Sequence, residues 1–186
     1  ISPYYLKPGF AFGGSCLPKD VRAITYEARN LDIATPLLSS LMSSNEAQVE
    51  RVVDWVVATK RKKVGILGLS FKNDTDDLRE SPIVDVVETL IGKGYDLSIF
   101  DANVNLARLI GANKSYIEHE IPHISSLMKP DMQDVLDHAE VIIVANKGAE
   151  FKEITRLAKP GQMIYDLVRI TEDWKSGHGH YEGVCW

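Results

Sequence analysis

The sequence contains little cysteine and no long apolar run. Cys16 and Cys185 are the only cysteines among 186 residues, and they lie near opposite ends of the chain. Two cysteines so far apart in sequence indicate neither a disulfide framework nor a metal-ligand pair. No apolar run reaches the roughly 18 residues that a membrane-spanning helix needs, and no signal peptide opens the sequence. We therefore predict no membrane partner and a cytoplasmic location, where a reducing environment keeps a thiol free.

Positive charge is also scarce. The 21 lysines and arginines are outnumbered by 26 aspartates and glutamates, so the net charge is -5 at pH 7. A domain that binds nucleic acid usually carries a basic stripe, and we predict no nucleic-acid partner for this chain. A short basic run at residues 60–63 follows a predicted helix, where it complements the partial negative charge of the helix end.

A metal site is not predicted either. The acidic cluster at residues 74–80 includes the Asp-x-Asp spacing of calcium loops, but the rest of that pattern is absent. We interpret its four acids as caps of the following helix and as partners of Arg79. These acids are Asp74, Asp76, Asp77 and Glu80. The histidines lie in irregular polar stretches, and His178 and His180 flank a glycine in a predicted tail.

The most informative segment is 12–20, in which two glycines and a serine precede Cys16. Pro18 suits the first turn of a helix, because its fixed φ fits there and its missing N–H would be unpaired anyway. Cys16 is therefore predicted to lie directly before a helix, where the positive end of the helix dipole and Lys19 favour a nucleophilic thiolate. The glycines let the backbone approach a ligand closely. A buried structural cysteine after a glycine loop is the alternative, and the residues alone leave both open.

Two helices are predicted in the first 60 residues. Residues 20–30 carry apolar side chains at helical spacing. Asp20 lies one turn after Cys16, where it either orients a water or a lysine or complements the positive helix end. Pro36 opens an apolar stripe over 37–60. This helix is either a core helix or a dimerisation helix, and we favour the second because nothing else in the first 60 residues buries its stripe.

A parallel α/β sheet is predicted from residue 63 onward. A strand at 64–69, a glycine turn, a helix at 83–93 and a strand at 97–101 form a βαβ unit with a right-handed crossover. Further strands are predicted at 140–144, at 163–167 and near Val184, with a helix at 150–158. Residues 103–126 show only short possible helical pieces, at 107–110 and 116–121.

The predicted fold class is therefore α/β, with a long dimerisation helix followed by a Rossmann-like, doubly wound parallel sheet that carries helices on both faces. The predicted domains are 1–62, which holds the cysteine loop and the helices, and 63–186, which holds the sheet.

Gly65, Gly68 and Asp101 match part of a dinucleotide-binding fingerprint. The full pattern, G-x-G-x-x-G, needs a third glycine that this chain does not have. Phe71 and Lys72 occupy the region where a pyrophosphate would approach the helix N-terminus. We predict that this sheet does not bind NAD by itself, and that Lys72 is available to another anionic group at the strand ends.

Two segments carry a family resemblance. Residues 2–20 resemble the active-site cysteine segment of the nucleotide-sugar 6-dehydrogenases, the UDP-glucose/GDP-mannose dehydrogenase family, and residues 68–82 resemble a second motif of that family. The tyrosine pair and the ending at 183–186 look most similar to members that oxidise GDP-mannose. The resemblance implies a GDP-sugar substrate, a homodimer through the 37–60 helix, and NAD held mainly by an N-terminal Rossmann domain that precedes this sequence.

The resemblance also implies roles for individual residues. Cys16 would add to the aldehyde formed at sugar C6 and then carry a thioester that water cleaves, and Asp20 would assist. The residues implied in sugar-nucleotide binding are Tyr4, Tyr5, Lys7, Phe10, Gly13, Phe71 and Lys72. The residues implied in NAD contact are Lys19 and Arg79. The family's other catalytic groups, a lysine, an asparagine and a glutamate, belong to the absent part, so the chain alone is expected to be inactive.

Two alternatives stay open. UDP-glucose or another UDP-hexose is the main rival substrate, because contacts that read the base form no visible motif. Lys7 also leaves the choice of substrate open. GDP-mannose enzymes can carry arginine at this position, and lysine binds phosphate only as a point charge. From a different functional class, the chain also fits a nucleotide-sugar-binding or dimerisation module in which Cys16 does no chemistry.

Overall fold

The computed structural model describes residues 9–71, 77–104, 122–172, 174 and 179–184. Two helices come first, α1 at Leu17–Asn30 and α2 at Pro36–Ala58. Each has a proline within its first two positions, where the missing N–H costs no hydrogen bond. The helices predicted at 20–30 and 37–60 are thereby confirmed within a few residues at their ends.

A five-stranded sheet follows the two helices. Its strands are β1 at Lys63–Leu67, β2 at Asp96–Phe100, β3 at Val141–Val144, β4 at Met163–Asp166 and β5 at His180–Gly183. They lie in the order β2-β1-β3-β4-β5, and every neighbouring pair is parallel. The other helices within the described residues are α3 at Pro82–Gly92, α4 at Ile124–Leu127, α5 at Met132–His138, a 3-10 helix at Ala149–Glu153 and α6 at Ile154–Leu157.

The sheet is covered on both faces. Because side chains alternate along a strand, Val64 and Ile66 of β1 join the core that contains buried residues of α2 and α3. Ile142 and Val144 of β3 join a second core with α5, the 3-10 helix and α6. Strands buried on both faces read as continuous apolar runs, and β3 is such a run. The predicted doubly wound parallel α/β fold is confirmed.

Four elements differ from the sequence prediction. α4 was not predicted, because its four residues bury only Ile124. α5 was not predicted, because it has only seven residues and buries only Val135 and Leu136, too few to give a clear period. The last strand begins at His180, so this histidine lies in an edge strand and not in a tail, and Val184 follows the strand. The helix predicted at 150–158 starts as the 3-10 helix. The pieces predicted at 107–110 and 116–121 lie outside the described residues.

α2 has two different halves. Val52, Val53 and Val56 near its end are buried against the sheet, as expected of a core helix. Trp55 also stacks on Tyr165 of β4, with ring centroids 4.1 Å apart. The first half is open by contrast, and Leu37 is 74% exposed. The core-helix reading of the 37–60 stripe therefore describes the last turns of α2. The dimerisation reading stays a prediction, and the start of the helix is exposed in the described structure.

The packing of α5 on β1 predicts unequal effects for one chemical change at two glycines. A Cβ at Gly65 would lie 2.6 Å from Val135 Cγ1 and 2.8 Å from Ala139 Cβ, whereas a Cβ at Gly92 would have nothing within 4 Å. We expect Gly65→Ala to lower the free energy of unfolding by about 1–3 kcal/mol through overpacking. Gly92→Ala should be neutral or raise it by up to about 1 kcal/mol, because the unfolded chain loses freedom.

Urea unfolding followed by circular dichroism measures both changes. Equal effects of the two substitutions would contradict the close approach of α5 to β1.

Candidate active site

Cys16 directly precedes α1, as the sequence predicts. It occupies the N-cap position, and its carbonyl accepts a hydrogen bond from the Asp20 N–H at 2.9 Å. Its side chain is free and exposed, with Ser15 Oγ 3.8 Å from the sulfur. Pro18 in the first turn is buried and anchors the helix start. The alternative of a buried structural cysteine is inconsistent with this exposure.

Asp20 and Lys19 lie together on the first turn of α1. Lys19 Nζ is 3.4 Å from Asp20 Oδ1, and both side chains are mostly exposed. An acid in the first turn complements the positive helix end, which is the simpler of the two roles considered for Asp20. Its catalytic role and the NAD contact of Lys19 stay predictions.

The two glycines before Cys16 dock onto the second motif. The Gly14 N–H donates to the Glu80 carbonyl at 3.2 Å, and a Cβ on Gly14, whose φ is +85°, would lie 2.8 Å from the Phe71 ring. A Cβ on Gly13 would collide with the Glu80 carbonyl oxygen and with Pro82 Cδ. The space beside both glycines is therefore filled by residues of the second motif. The role of Gly13 in substrate binding stays a prediction.

Asn45 of α2 holds the other side of the same loop. Its Oδ1 accepts from the Phe12 N–H at 2.9 Å, and its Nδ2 donates to the Phe12 carbonyl at 2.8 Å. The side-chain amide therefore pairs with a backbone peptide group as a neighbouring strand would. Sequence reasoning missed this contact. The signal available was a polar residue within the apolar stripe of α2.

Arg79 of the second motif is held in place by Asp77. Its Nε and Nη2 donate to the two carboxylate oxygens of Asp77 at 2.8 and 2.7 Å. These hydrogen bonds raise the pKa of Arg79, and attraction to Cys16 raises it further in smaller measure. The same bonds hold the pKa of Asp77 below its usual value. The prediction that Asp77 is a partner of Arg79 is confirmed.

Glu80 has a different partner from the one predicted. Its two carboxylate oxygens accept from Nη1 and Nη2 of Arg22 at 2.9 and 2.7 Å, and these bonds raise the pKa of Arg22. The residue before α3 is Ser81, whose hydroxyl donates to the Leu69 carbonyl. The prediction that Glu80 holds Arg79 is therefore wrong, because the carboxylate faces α1. Asp74 and Asp76 lie outside the described residues.

A cavity of about 210 Å³ opens beside these motifs, at the carboxyl ends of β1, β3 and β4. Its walls combine aromatic rings, small polar groups and one cation, and include Phe10, Ser70, Phe71, Ser81, Lys147 and Val168. Ligands of open parallel sheets bind at this edge, where the strand order reverses. Phe10 and Phe71 line this cavity, and their role in substrate binding stays a prediction. Lys147 was not predicted, since it lies in a connection without a motif.

The partial dinucleotide fingerprint has structural partners in this sheet. Asp101, after β2, is buried and accepts from the N–H groups of Leu69 and Ser70 at 2.8 and 3.1 Å. The Cβ position of Gly68 is filled by the Asn146 side chain, and that of Gly65 faces α5. In a dinucleotide site, the acid at this position binds a ribose hydroxyl. Here the Asp101 carboxylate already accepts from two backbone N–H groups. The sheet residues therefore do not fit a dinucleotide in the usual way.

Several predictions fall outside the described part of the chain. They concern Tyr4, Tyr5, Lys7 and Lys72. Within the described residues, no group of three His, Cys, Asp or Glu side chains is arranged to hold a metal ion. A bilayer-crossing helix, which needs both length and apolar character, is likewise not found in the described part.

Comparison with known proteins gives matches along the whole chain. The profile described as UDP-glucose/GDP-mannose dehydrogenase family, UDP binding domain, matches residues 65–173, and that of the family's central domain matches residues 1–47. The chain is 53% identical to GDP-mannose 6-dehydrogenase of Pseudomonas savastanoi pv. phaseolicola, over 100% of this chain and 42% of the relative. It is 30% identical to UDP-glucose 6-dehydrogenase of Rickettsia felis, over 91% of this chain and 36% of that protein.

A solved structure gives the same result for the fold. The ternary complex of GDP-mannose dehydrogenase from Pseudomonas aeruginosa matches with a TM-score of 0.90 and 50% identity, over 100% of this chain and 42% of that one. The chain thus spans less than half the length of the curated relatives it matches.

The Asp77–Arg79 pair predicts a pH-dependent contribution to stability. Because the folded-state pKa of Asp77 is lowered, the contribution is complete above the unfolded value of about 3.9 and is lost as pH falls through the folded-state pKa below it. At pH 7 we expect Asp77→Asn to lower the free energy of unfolding by about 1 kcal/mol. At pH 3 the difference from wild type should shrink.

Urea unfolding of both proteins at the two pH values checks this. Asp137→Asn is the matched control, because Asp137 pairs with Lys159 in an exposed position where solvent screens the charges. A difference for Asp77→Asn that grew toward pH 3 would contradict the prediction.

Proposed function

The chain belongs to the UDP-glucose/GDP-mannose dehydrogenase family, and we propose that it forms part of an NAD-dependent GDP-mannose 6-dehydrogenase. The observation that carries the proposal is the exposed Cys16 at the start of α1, which the docked glycine loop holds against the second family motif. Because the chain spans 42% of its relatives' length, the activity is that of the longer protein.

GDP-mannose is the proposed substrate because of the pattern of identity. The chain is 53% identical to a GDP-mannose 6-dehydrogenase over its whole length and 30% identical to a UDP-glucose 6-dehydrogenase. The product would be GDP-mannuronate. UDP-glucose or another UDP-hexose is the alternative that direct assay must exclude.

In the proposed reaction, Cys16 supplies the nucleophile. After the C6 alcohol is oxidised to an aldehyde, the sulfur adds to the aldehyde carbon to form a thiohemiacetal, which keeps the aldehyde from escaping. A second oxidation gives a thioester on Cys16, and water cleaves it to release the carboxylate and the thiol. NAD⁺, when bound, supplies the acceptor for the hydride removed at each oxidation. We place the reaction in the cytoplasm, where Cys16 stays reduced.

The chain's own residues fit this cofactor only in part. The sheet offers no usual dinucleotide site, because Asp101 and the glycines of the β1 turn have protein partners. Lys19 and Arg79 are partly exposed cations, one in each of the two motifs. We propose that they contact the anionic part of an NAD held mainly by the remainder of the protein.

The cavity at the strand ends is proposed to hold the sugar nucleotide. Phe10 and Phe71 would pack against sugar or base. The remaining substrate contacts are proposed from the family motif alone, and they are Tyr4, Tyr5, Lys7, Gly13 and Lys72. Asp20 would orient the water that cleaves the thioester.

Dimerisation through α2 is proposed from the apolar surface at its beginning. Leu37 at the start of α2 is a large exposed apolar residue, and Leu17, Ile24 and Leu31 are exposed along α1. Contiguous exposed apolar patches mark interaction sites. We also propose a domain division at residues 62 and 63, with the last turns of α2 packed on the following domain.

Removing the Cys16 sulfur tests the proposed chemistry. In the full-length protein, Cys16→Ala should lower NAD reduction with GDP-mannose by about a thousandfold or more, because no other group can form the thioester. UDP-glucose should be a much poorer substrate for the wild type. Absorbance at 340 nm follows NADH, and thermal unfolding verifies that the variant folds. Cys185→Ala is the matched control, and unchanged turnover by Cys16→Ala would exclude the cysteine mechanism.

The 186-residue chain by itself should not turn over. Its sequence lacks the lysine, asparagine and glutamate that the family resemblance places elsewhere, and its sheet does not fit NAD on its own. The purified chain mixed with NAD and GDP-mannose should give no NADH above background. NADH formation at a rate near that of the full-length protein would refute the prediction that the chain needs the rest of the protein for turnover.

A further inference from the structure

Arg22 and Glu80 link the two motifs across the chain. Arg22 lies on α1, six residues after Cys16, and its guanidinium makes two hydrogen bonds to the Glu80 carboxylate, at 2.9 and 2.7 Å. The two residues are 58 positions apart in sequence. A bidentate pair of this kind fixes relative orientation as well as distance, because two parallel bonds resist rotation.

The backbone of Glu80 contributes a second contact to the same loop. Its carbonyl accepts from the Gly14 N–H at 3.2 Å. Its φ is +49°, a left-handed conformation that residues other than glycine rarely adopt. Such strained residues persist only where surrounding contacts enforce them, and they concentrate at functional sites. Glu80 therefore binds the cysteine segment twice, at Gly14 before Cys16 and at Arg22 after it.

The neighbouring residue gives these contacts a chemical consequence. Arg79 directly precedes Glu80, whose carbonyl holds Gly14 two residues before Cys16. Its own orientation is set by its two bonds to Asp77. The distance between sulfur and guanidinium consequently depends on how the 12–22 segment lies on the 77–82 segment, and Glu80 joins the two segments.

We propose that Arg22 and Glu80 are positioning residues that hold the Cys16 segment in register with Arg79 during catalysis. The inference rests on the proposed function for its catalytic part. Both act through other residues, since their contacts are with each other and with the loop. Arg22 belongs to neither set of residues that the sequence motifs single out as substrate or cofactor contacts.

The pair is suited to a clean test because it should matter little to folding. The Arg22 and Glu80 side chains are 52% and 36% exposed, and solvent-exposed ion pairs contribute little to global stability. The chain offers a matched control in Arg156, which pairs with Glu153 at 2.6 Å on the surface of α6. Arg156→Gln removes the same kind of contact away from Cys16.

The experiment uses the full-length protein and two readouts. The first is hydrogen exchange of the Gly14 amide, followed by mass spectrometry of the peptide that contains it. The second is steady-state NAD reduction with GDP-mannose. For Arg22→Gln we expect exchange about tenfold faster, because the segment opens locally. We expect kcat about tenfold lower with KM within about twofold, because a misplaced nucleophile is costly after substrate has bound.

A double variant in which Arg22 and Glu80 exchange their charges distinguishes a positioning role from a general effect of charge. Arg22→Glu combined with Glu80→Arg should bring exchange and kcat back toward wild type, while each single change should resemble Arg22→Gln. Arg22→Lys should be intermediate, because lysine keeps the charge but not the two parallel bonds. Arg156→Gln should match wild type in both readouts, and the melting temperature should vary little across the series.

Three results would overturn the proposal. They are unchanged Gly14 exchange in Arg22→Gln, failure of the exchanged pair to recover either readout, and a kcat loss that follows the melting temperature. Failure of the proposed function is recognised separately, because the wild type would then not reduce NAD with GDP-mannose. The exchange measurement would still decide whether Arg22 and Glu80 hold the Cys16 segment.

Discussion

The docking of a glycine loop onto the turn before α3 is the constraint on which the candidate site depends. Gly13 and Gly14 lie so close to the Glu80 carbonyl and the Phe71 ring that a side chain at either position would push the loop away. The exposed sulfur of Cys16 follows immediately. Its location is therefore set less by α1, which buries only Pro18 and Ala28, than by the surface against which the loop rests.

The sheet could be predicted from the sequence because its signals are local. Short apolar runs such as β3, bounded by turn residues, predict buried parallel strands, and glycines mark the turn after β1 and the end of α3. α5 escaped prediction because its N-cap, Asp131, starts a helix of only seven residues. β5 escaped because an edge strand that alternates between half-exposed and exposed residues resembles a polar tail.

The candidate site was predictable only where neighbours in sequence determine it. A proline two positions after Cys16 was enough to locate the sulfur at a helix start, and Asp77 meets Arg79 two residues away. Contacts that join distant segments had no such signal. The Asn45 amide is 33 residues from Phe12, and nothing in either segment specified the other. The motif resemblance covers Phe12 but not Asn45, and only the folded chain pairs them.

α2 is one uninterrupted helix that contacts both the cysteine segment and the sheet core. The Asn45 side chain hydrogen-bonds to Phe12 of the cysteine segment, and Val56 is buried in the sheet core. At 1.5 Å per residue, these two anchor points are about 16 Å apart along the axis. A helix of this length behaves as a stiff spacer, so the Cys16 segment and the sheet core keep a fixed separation that a flexible linker would not maintain. A subunit seated on the exposed beginning of α2 would bear directly on that spacer.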